Sequence, residues 1–593
     1  MSGLQRPSPQ EEWMWIIERS GLATSVYTIE SALLLHGPLD LAAARAALTR
    51  IVARHDALRS RFPEGPDGHP VRIVTDDPEA ALDFAVTDVP RDGLVARARE
   101  LAAEPFDVRQ GPLVRVRVLR AGEREHLLLL AVHHMVFDGW SEALLWREFG
   151  ALYDAGAAGR DAGLDAPPPR YADFAERQRA RLADGVPHEL VAYWRARLDG
   201  APVLDLPADR ARLPVQRHRG HEHRFTVPGE LAGALRTLAR KERTTPFCVV
   251  YAAYHALLVR YARQGDVCVG VPLSHRTLPG SEGVVGLFLN TVVLRPRADD
   301  DPSFRDLVGR VRGEFLDAVD HAELPFSRLV EELAPARDLG RNPLFQAMFT
   351  MAVREPVPEL TGLRAERVRL PVGTSFMDVS AEVHDDGDTL EVFVCLDADL
   401  FDHDTGAALA ADFARLLGVV ADRPDLPLSR TPAPTAGAWQ RGTAASAPSV
   451  SVSAAALDVS EARAPAADDG TPADPALAAT LTEIWSDAFG APLTGREDFF
   501  RLGGTSLLAV RIASGIQARG LGTVVVRDVF ETRTAHALAA RLTARPATGG
   551  VPAAPTRIAR RRRAALDLPA PEPPGSAGSA GSAGSAGSSG GVK

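Results

Sequence analysis

The sequence predicts a mixed α/β fold for its first 430 residues and, after a break in composition, a small all-α unit. Three observations predict it. Helical segments alternate with apolar strand candidates as far as Arg430, the composition changes abruptly after Pro432, and helical periodicity returns between Ala476 and Leu542. A chain of 593 residues leaves room for roughly three or four compact units, which excludes a single small binding module. With 45% hydrophobic residues and 22 Phe it can bury real cores. Its 67 basic and 77 acidic side chains leave a net charge of −10, the wrong sign for a protein whose main work is neutralising nucleic-acid phosphates. Cys248, Cys268 and Cys395 are too few and too scattered for a disulfide framework or a zinc knuckle, which suits a reducing compartment. The opening MSGLQRPSPQEEW has no basic stretch followed by an apolar one, and no run of 18 apolar residues occurs. A soluble, cytoplasmic protein with no membrane and no nucleic-acid partner is expected.

In order along the chain, Ala and Leu recur at i, i+3 and i+4 from Asp40 to Leu58, which predicts a helix. Strands are expected at Val114–Leu119, His126–Val132, Val267–Leu273, Leu289–Arg295 and Leu390–Leu396, where β-branched and apolar residues cluster. After Pro432 the chain is Ala, Pro, Ser, Thr and Asp, so residues 431–475 are expected to form a flexible linker. Residues 476–545 carry helical periodicity in LAATLTEIWSDAFG and SLLAVRIASGIQARG and have the size of a small helical bundle. The basic cluster Arg557–Arg563, a Pro-rich stretch and GSA triplets follow, so residues 546–593 are expected to be a disordered tail; the charge run reads as solvated.

The most informative stretch is HHMVFDGWS, His133 to Ser141, directly after the apolar run ending at Val132. Two histidines leave a buried strand, Asp138 and Gly139 form a turn, and Ser141 is positioned to cap a following helix. Imidazole titrates near neutrality and suits a general base, whereas a nearby carboxylate can hold an imidazole, a cation or the loop. A pair of satisfied polar residues at a strand end is the competing reading for any isolated His pair. Metal ligation is disfavoured, since adjacent residues on an extended chain point to opposite sides and no Cys or Glu nearby completes a set.

The string HHxxxDGxS resembles the signature of condensation domains of nonribosomal peptide synthetases. RHDALRSRF (Arg54–Phe62), YADF (Tyr171–Phe174), VGLFLNTVVLR (Val285–Arg295), HAELPF (His321–Phe326) and RNPLFQAMF (Arg341–Phe349) are similar to further motifs of that family, in its order. The resemblance implies a two-lobed, chloramphenicol-acetyltransferase-like domain over residues 1–430, with lobes of about 1–178 and 179–430 and a tunnel between them. It implies an amide-forming acyltransferase in which His134 orients or deprotonates the acceptor amine, while His133 and Asp138 are structural and Gly139 completes the turn. Arg59 is the expected ion-pair partner of Asp138. Asn290 either lines the tunnel or satisfies backbone at a strand end, and Trp140 reads as core. Gly340 stands where the pattern has Ser, and Leu289 where it has Val. A heterocyclising relative would carry Asp in place of the paired His, and a degenerate recruitment domain would usually lack the second His. The segment Tyr27–Leu48 is more similar to the subtype that extends a donor ending in an L residue.

In DFFRLGGTSLLAVRI, Gly503 and Gly504 permit a tight turn and Ser506 opens a helix whose free N–H groups favour a phosphate. An ordinary Ser cap is the competing reading. Together with LTEIWSDAFG before it and VRDVFETRTAHALAARL after it, the string resembles peptidyl carrier proteins, four-helix bundles that carry 4′-phosphopantetheine on a serine, here Ser506. Thr505 departs from the residue types common before that serine. No Gly-rich, Ser/Thr-rich phosphate loop followed by Lys is present, and the one GxSxG string lies in the low-complexity tail at Gly587–Gly591. The resemblance therefore implies a secondary-metabolite synthetase component, a phosphoprotein in its carrier part. Its partners would be an upstream donor carrier, a separate adenylating enzyme acting in trans, a phosphopantetheinyl transferase and a downstream synthetase or release enzyme, with no metal. Ester formation, condensation onto a free amine, and a non-catalytic platform recruiting carriers or tailoring enzymes are the alternatives.

Overall fold

The computed structural model describes residues 5–19, 26–435 and 474–544, apart from positions 165, 184, 186, 277, 279, 334–337, 339, 355, 371–372, 503, 505 and 523. Most of the expected linker and the whole of the expected tail lie outside the described residues. The chain begins with α1 (Pro9–Arg19), β1 (Thr28–His36), α2 (Leu41–Arg54), the short strands β2 (Ser60–Arg61) and β3 (Ile73–Val74), β4 (Leu82–Asp88), α3 (Leu94–Ala102), β5 (Val114–Arg120), β6 (Glu125–His133) and α4 (Gly139–Ala157). Helices α5 (Tyr171–Leu182) and α6 (His188–Leu198) lead into β7 (Gly220–Val227), α7 (Gly229–Lys241), α8 (Pro246–Ala262), β8 (Val269–Ser274), β9 (Leu289–Leu294), α9 (Phe304–Asp320) and α10 (Phe326–Leu333). Then come β10 (Ala347–Val353), β11 (Arg364–Val368), β12 (Val379–Asp385), β13 (Leu390–Asp397) and α11 (His403–Asp422). The last part is all helical: α12 (Pro475–Phe489), α13 (Ser506–Ala518), α14 (Val526–Thr532) and α15 (Ala535–Ala544).

The first lobe is built on a sheet of order β11-β1-β6-β5-β4, antiparallel except for the β4–β5 pair. Its middle strand shows why HLLLLAV lacks alternation. Leu128 and Leu130 enter the core beneath α2 and α4, whereas Leu127 and Leu129 enter a smaller core beneath α3, so both faces are buried. Helix α2 starts where Asp40 accepts from the N–H groups of Ala42 and Ala43, and it buries the stripe Ala44, Leu48, Ile51 and Val52. The second lobe has a six-stranded sheet, β7-β13-β12-β10-β8-β9, with parallel pairing at β12–β10 and β10–β8. Its central helix α8 is buried on nearly every side, with Pro246 in its first turn.

Two segments cross between the lobes. Arg364–Val368 leaves the second lobe and pairs with β1 at the edge of the first sheet, so the expected division at residue 178 is crossed by a returning strand. Val284–Phe288 packs into the first lobe's core. The domain also ends later than expected, because Thr435 donates through both its N–H and its hydroxyl to Asp412 of α11. The helical unit begins with Asp474 capping α12, with Pro475 at its first position. No helix among the described residues is long and apolar enough to cross a membrane.

Gly286 lies within the second crossing. A Cβ there would sit 2.2 Å from the ring of Tyr171, which is fully buried and donates from its hydroxyl to the Leu287 carbonyl at 2.8 Å. Gly286→Ala should therefore cost about 1–3 kcal/mol through overpacking, seen as a lower denaturation midpoint, while Gly313→Ala, where an added Cβ meets nothing within 4 Å, should leave the midpoint unchanged or higher.

Candidate functional site

Strand β6 ends at His133, and a single 3-10 turn, His134–Val136, follows. The turn is held from both sides of the strand end. His133 Nδ1 accepts the N–H of Met135 at 3.1 Å, which makes its Nε2 the protonated nitrogen, and that atom lies 3.3 Å from Oε1 of Glu18 on α1. The His134 N–H donates to the Tyr27 carbonyl at 2.7 Å. Tyr27 in turn packs its ring 4.9 Å from Phe376 of the second lobe, so the turn sits where the lobes meet.

His133 is completely buried, whereas His134 is half-buried. The Nδ1 of His134 lies 2.7 Å from the Phe137 carbonyl. A carbonyl only accepts, so Nδ1 carries the proton and Nε2 keeps its lone pair. Desolvation holds the imidazole pKa below its usual 6.5, against the opposing pull of the Phe137 carbonyl and Asp138. At neutral pH the side chain is an uncharged, oriented base.

Asp138 is the N-cap of α4, the position expected for Ser141. Its Oδ1 accepts from the Ser141 N–H at 2.8 Å and from the Ser141 hydroxyl at 2.7 Å. Asp138 lies earlier in the chain and is as good a cap as Ser, so the helix starts three residues sooner. The same carboxylate pairs with Arg276, whose Nη2 donates to Oδ1 at 2.9 Å and Oδ2 at 3.1 Å, and it also accepts the Phe288 N–H at 3.1 Å. Arg276 donates further to the Ser281 and Val284 carbonyls, each at 2.6 Å, and lies over the Phe288 ring.

Arg59 is therefore not the partner of Asp138. It closes a 3-10 turn after α2 and donates to the carbonyls of Val52 and Thr75, tying the end of that helix to the loop after β3. Asn290 is a clamp: its amide nitrogen donates to Ala322 and Leu324 carbonyls at 2.8 and 2.7 Å and its oxygen accepts the Phe326 N–H at 2.9 Å. Trp140 is half-buried and donates to the Glu282 carbonyl at 2.8 Å. Gly139 is exposed, and an added Cβ would meet nothing within 4 Å. Among the described residues no group of three or more His, Cys, Asp or Glu is placed to hold a metal ion.

In the helical unit Ser506 is the first residue of α13. Its side chain, with Gly503 and Thr505, lies outside the described residues. The approach to that helix start is shaped by Gly504, where a Cβ would lie 2.4 Å from the Phe499 ring. Asp498 anchors the same loop by accepting the N–H groups of Phe500 and Arg501 and pairing with Arg533. The first turn of this 13-residue helix has backbone N–H groups without partners inside the helix, an end that favours a phosphate.

Asp138 and Arg276 are 2% and 3% exposed, so removing either leaves a buried charge alone, at a cost of about 3–5 kcal/mol. Asp138→Ala and Arg276→Ala should each lower the melting temperature, and the double variant should lose clearly less than the sum. Arg59→Ala combined with Asp138→Ala should be additive within error; coupling there instead would contradict the observed pairing.

The family described as condensation domain matches residues 7–437, and that described as phosphopantetheine attachment site matches residues 479–542. A linear gramicidin synthase of Brevibacillus parabrevis is 37% identical over 435 residues, covering 71% of this chain and 6% of that protein. Phosphinothricin tripeptide synthetase PhsB of Streptomyces viridochromogenes is 38% identical over 437 residues, covering 71% of this chain and 36% of that protein. The chain thus spans well under two thirds of these relatives. Among solved structures, the X-domain from teicoplanin biosynthesis superposes with a TM-score of 0.66 at 27% identity, over 72% of this chain and 97% of that one. From residue 7 to residue 437 the chain belongs to the condensation-domain family, and a phosphopantetheine-attachment domain follows it.

Proposed function

We propose that this chain forms an amide bond between an acyl or peptidyl thioester delivered by a donor carrier and an aminoacyl group on a phosphopantetheinyl carrier, with His134 as the residue that meets the attacking amine. One observation carries this reading: the Nδ1 bond to the Phe137 carbonyl leaves Nε2 of a half-buried, neutral imidazole free to accept a proton. A phosphopantetheine arm on Ser506 supplies a thiol to hold an aminoacyl group. His134 Nε2 would hydrogen-bond the amine and receive its proton as nitrogen attacks the thioester carbonyl; the C–N bond forms, the C–S bond breaks, and the donor carrier's thiol leaves with that proton. Asp138, Arg276 and His133 keep the turn in place for this and touch no reacting atom.

The proposed partners are the donor carrier, a phosphopantetheinyl transferase that modifies Ser506, a separate adenylating enzyme that loads it and a downstream synthetase or release enzyme. A second reading has a specific observation behind it. The similar X-domain was solved in complex with OxyB, and a chain built likewise could serve as a docking platform without chemistry. The oriented base at His134 favours catalysis.

His134→Ala should lower condensation about 10²–10⁴-fold with little change in melting temperature, because only the bond to Phe137, worth about 0.5–1.5 kcal/mol, is lost. Since a protonated imidazole cannot accept the amine proton and its pKa is depressed, the wild-type rate should hold as pH falls to 6.5 and decline below it. Normal turnover by His134→Ala with native carriers would favour the platform. Incubation with coenzyme A and a promiscuous transferase should add one arm's mass to the wild type and none to Ser506→Ala; modification of the variant would refute the assignment.

A further inference from the structure

Helix α1 carries two acids among its buried residues, Glu11 and Glu18, with Met14 and Trp15 between them at helical spacing. A carboxyl group taken out of water needs a partner. Glu11 has a permanent cation, since its Oε1 lies 3.7 Å from Nε of Arg72. Glu18 has an imidazole instead: its Oε1 lies 3.3 Å from Nε2 of His133, and the two side chains are 5% and 0% exposed. Among the described residues neither of these two atoms has a hydrogen-bond partner elsewhere. The other nitrogen of the same ring has a task of its own. His133 is the N-cap of the turn His134–Val136 and caps it through Nδ1, which accepts the Met135 N–H at 3.1 Å. A hydroxyl or carboxylate caps in any state that leaves it a lone pair. An imidazole caps only when its proton is on the far nitrogen, because a proton on Nδ1 would meet the Met135 N–H head-on. The turn that carries His134 is therefore capped in one tautomer of His133 and uncapped in the other.

We propose that Glu18 is a positioning residue: it holds the proton of His133 on Nε2, and so keeps the turn capped and His134 aimed at the attacking amine. The inference rests on the reading of His134 as the residue that meets that amine. A carboxyl group behind a histidine can select its tautomer; here it acts one residue back from the base, and the effect reaches His134 through the backbone. The cap fixes the Met135 N–H at the start of the turn, and the Phe137 N–H closes the turn on the His134 carbonyl at 3.2 Å. The Phe137 carbonyl then lies 2.7 Å from Nδ1 of His134 and sets the direction of the base. Glu18 itself is firmly mounted. Ser8 and Glu11 each accept the other's backbone N–H at the start of α1, and Trp15 donates from Nε1 to the Phe62 carbonyl at 2.9 Å. The helix packs against both the turn and α10 of the second lobe, so the acid is held against the ring by an element separate from the strand that bears it.

The test uses the full-length chain with its histidine rings isotopically labelled for NMR. The ring signals lost in His133→Asn identify His133, and in the wild type they should show a bare Nδ1 and a protonated Nε2; a protonated Nδ1 would overturn the proposal without any further variant. Glu18→Leu should move the proton to Nδ1 or spread it over both nitrogens, and should lower kcat for condensation between loaded carriers roughly 10- to 100-fold with KM unchanged. Glu18→Gln, which keeps an oxygen facing Nε2, should preserve the tautomer and most of the rate. Met14→Ala thins the same buried face and should lower the melting temperature while leaving tautomer and rate as in the wild type. Because Asn caps without a tautomer, adding Glu18→Leu to His133→Asn should cost no further rate. An unmoved tautomer or rate in Glu18→Leu, an equal rate loss in Met14→Ala, or a further loss in the double variant would overturn the proposal. Normal turnover by His134→Ala would instead overturn the reading of His134, and the ring signals would still decide whether Glu18 sets the tautomer.

Discussion

The carboxylate of Asp138 accepts from three groups on different parts of the chain: the first turn of α4, Arg276 after β8 and the backbone of Phe288 before β9. Two of the three lie between β8 and β9, the stretch whose residues Val284–Phe288 cross over and pack into the first lobe's core. A buried carboxylate forfeits its hydration and is stable only when its oxygens are fully engaged, so the crossing stretch is bound to the first lobe at the point where the His134 turn ends and α4 begins. His134, four residues earlier, inherits its position from that constraint. The Phe137 carbonyl that sets its tautomer is the residue immediately before Asp138, so displacement of the carboxylate would displace the acceptor of the His134 proton. The orientation of the His134 ring thus depends on contacts made by residues far from it in the chain.

Much of this was legible in the sequence, for identifiable reasons. β6 could be placed because a strand buried on both faces writes itself as an unbroken apolar run, and the His pair followed from where that run stops. α2 was visible because its buried stripe has helical spacing. What escaped detection was tertiary. Arg276 is 138 residues from Asp138 and lies in no apolar pattern, so nothing local distinguishes it from Arg59, which sits in a motif and is bound to carbonyls instead. The start of α4 was misplaced because Asp138 and Ser141 are both competent caps, and the earlier of the two caps the helix. The strand Arg364–Val368 reads as polar because it is a sheet edge with no fully buried side chain. Glu18, against His133, lies on α1 with no sequence feature that singles it out.

Asn290 illustrates how a polar residue in a motif can be spent on holding backbone. All three of its hydrogen bonds go to backbone groups between Ala322 and Phe326, leaving no valence for a ligand except the second lone pair of its oxygen. It joins β9, on which Asp138 also draws through Phe288, to the segment at the end of α9. The polar groups that the sequence singles out are therefore mostly a frame around His134, whose ring is only half-buried.

The placement of Leu316 bears on how such synthetases can be recombined. It belongs to the condensation domain by sequence but packs within the carrier's core. A cut between Thr435 and Asp474 separates the two family matches cleanly in sequence and not in space. A carrier transplanted behind a foreign condensation domain would lose a side chain that shields its apolar interior, while the lobe it left would be presenting a bare leucine to water. The natural unit of exchange is then the pair of helices α9 and α14 taken together, so a successful graft would carry the acidic and apolar face of α9 along with the carrier it receives.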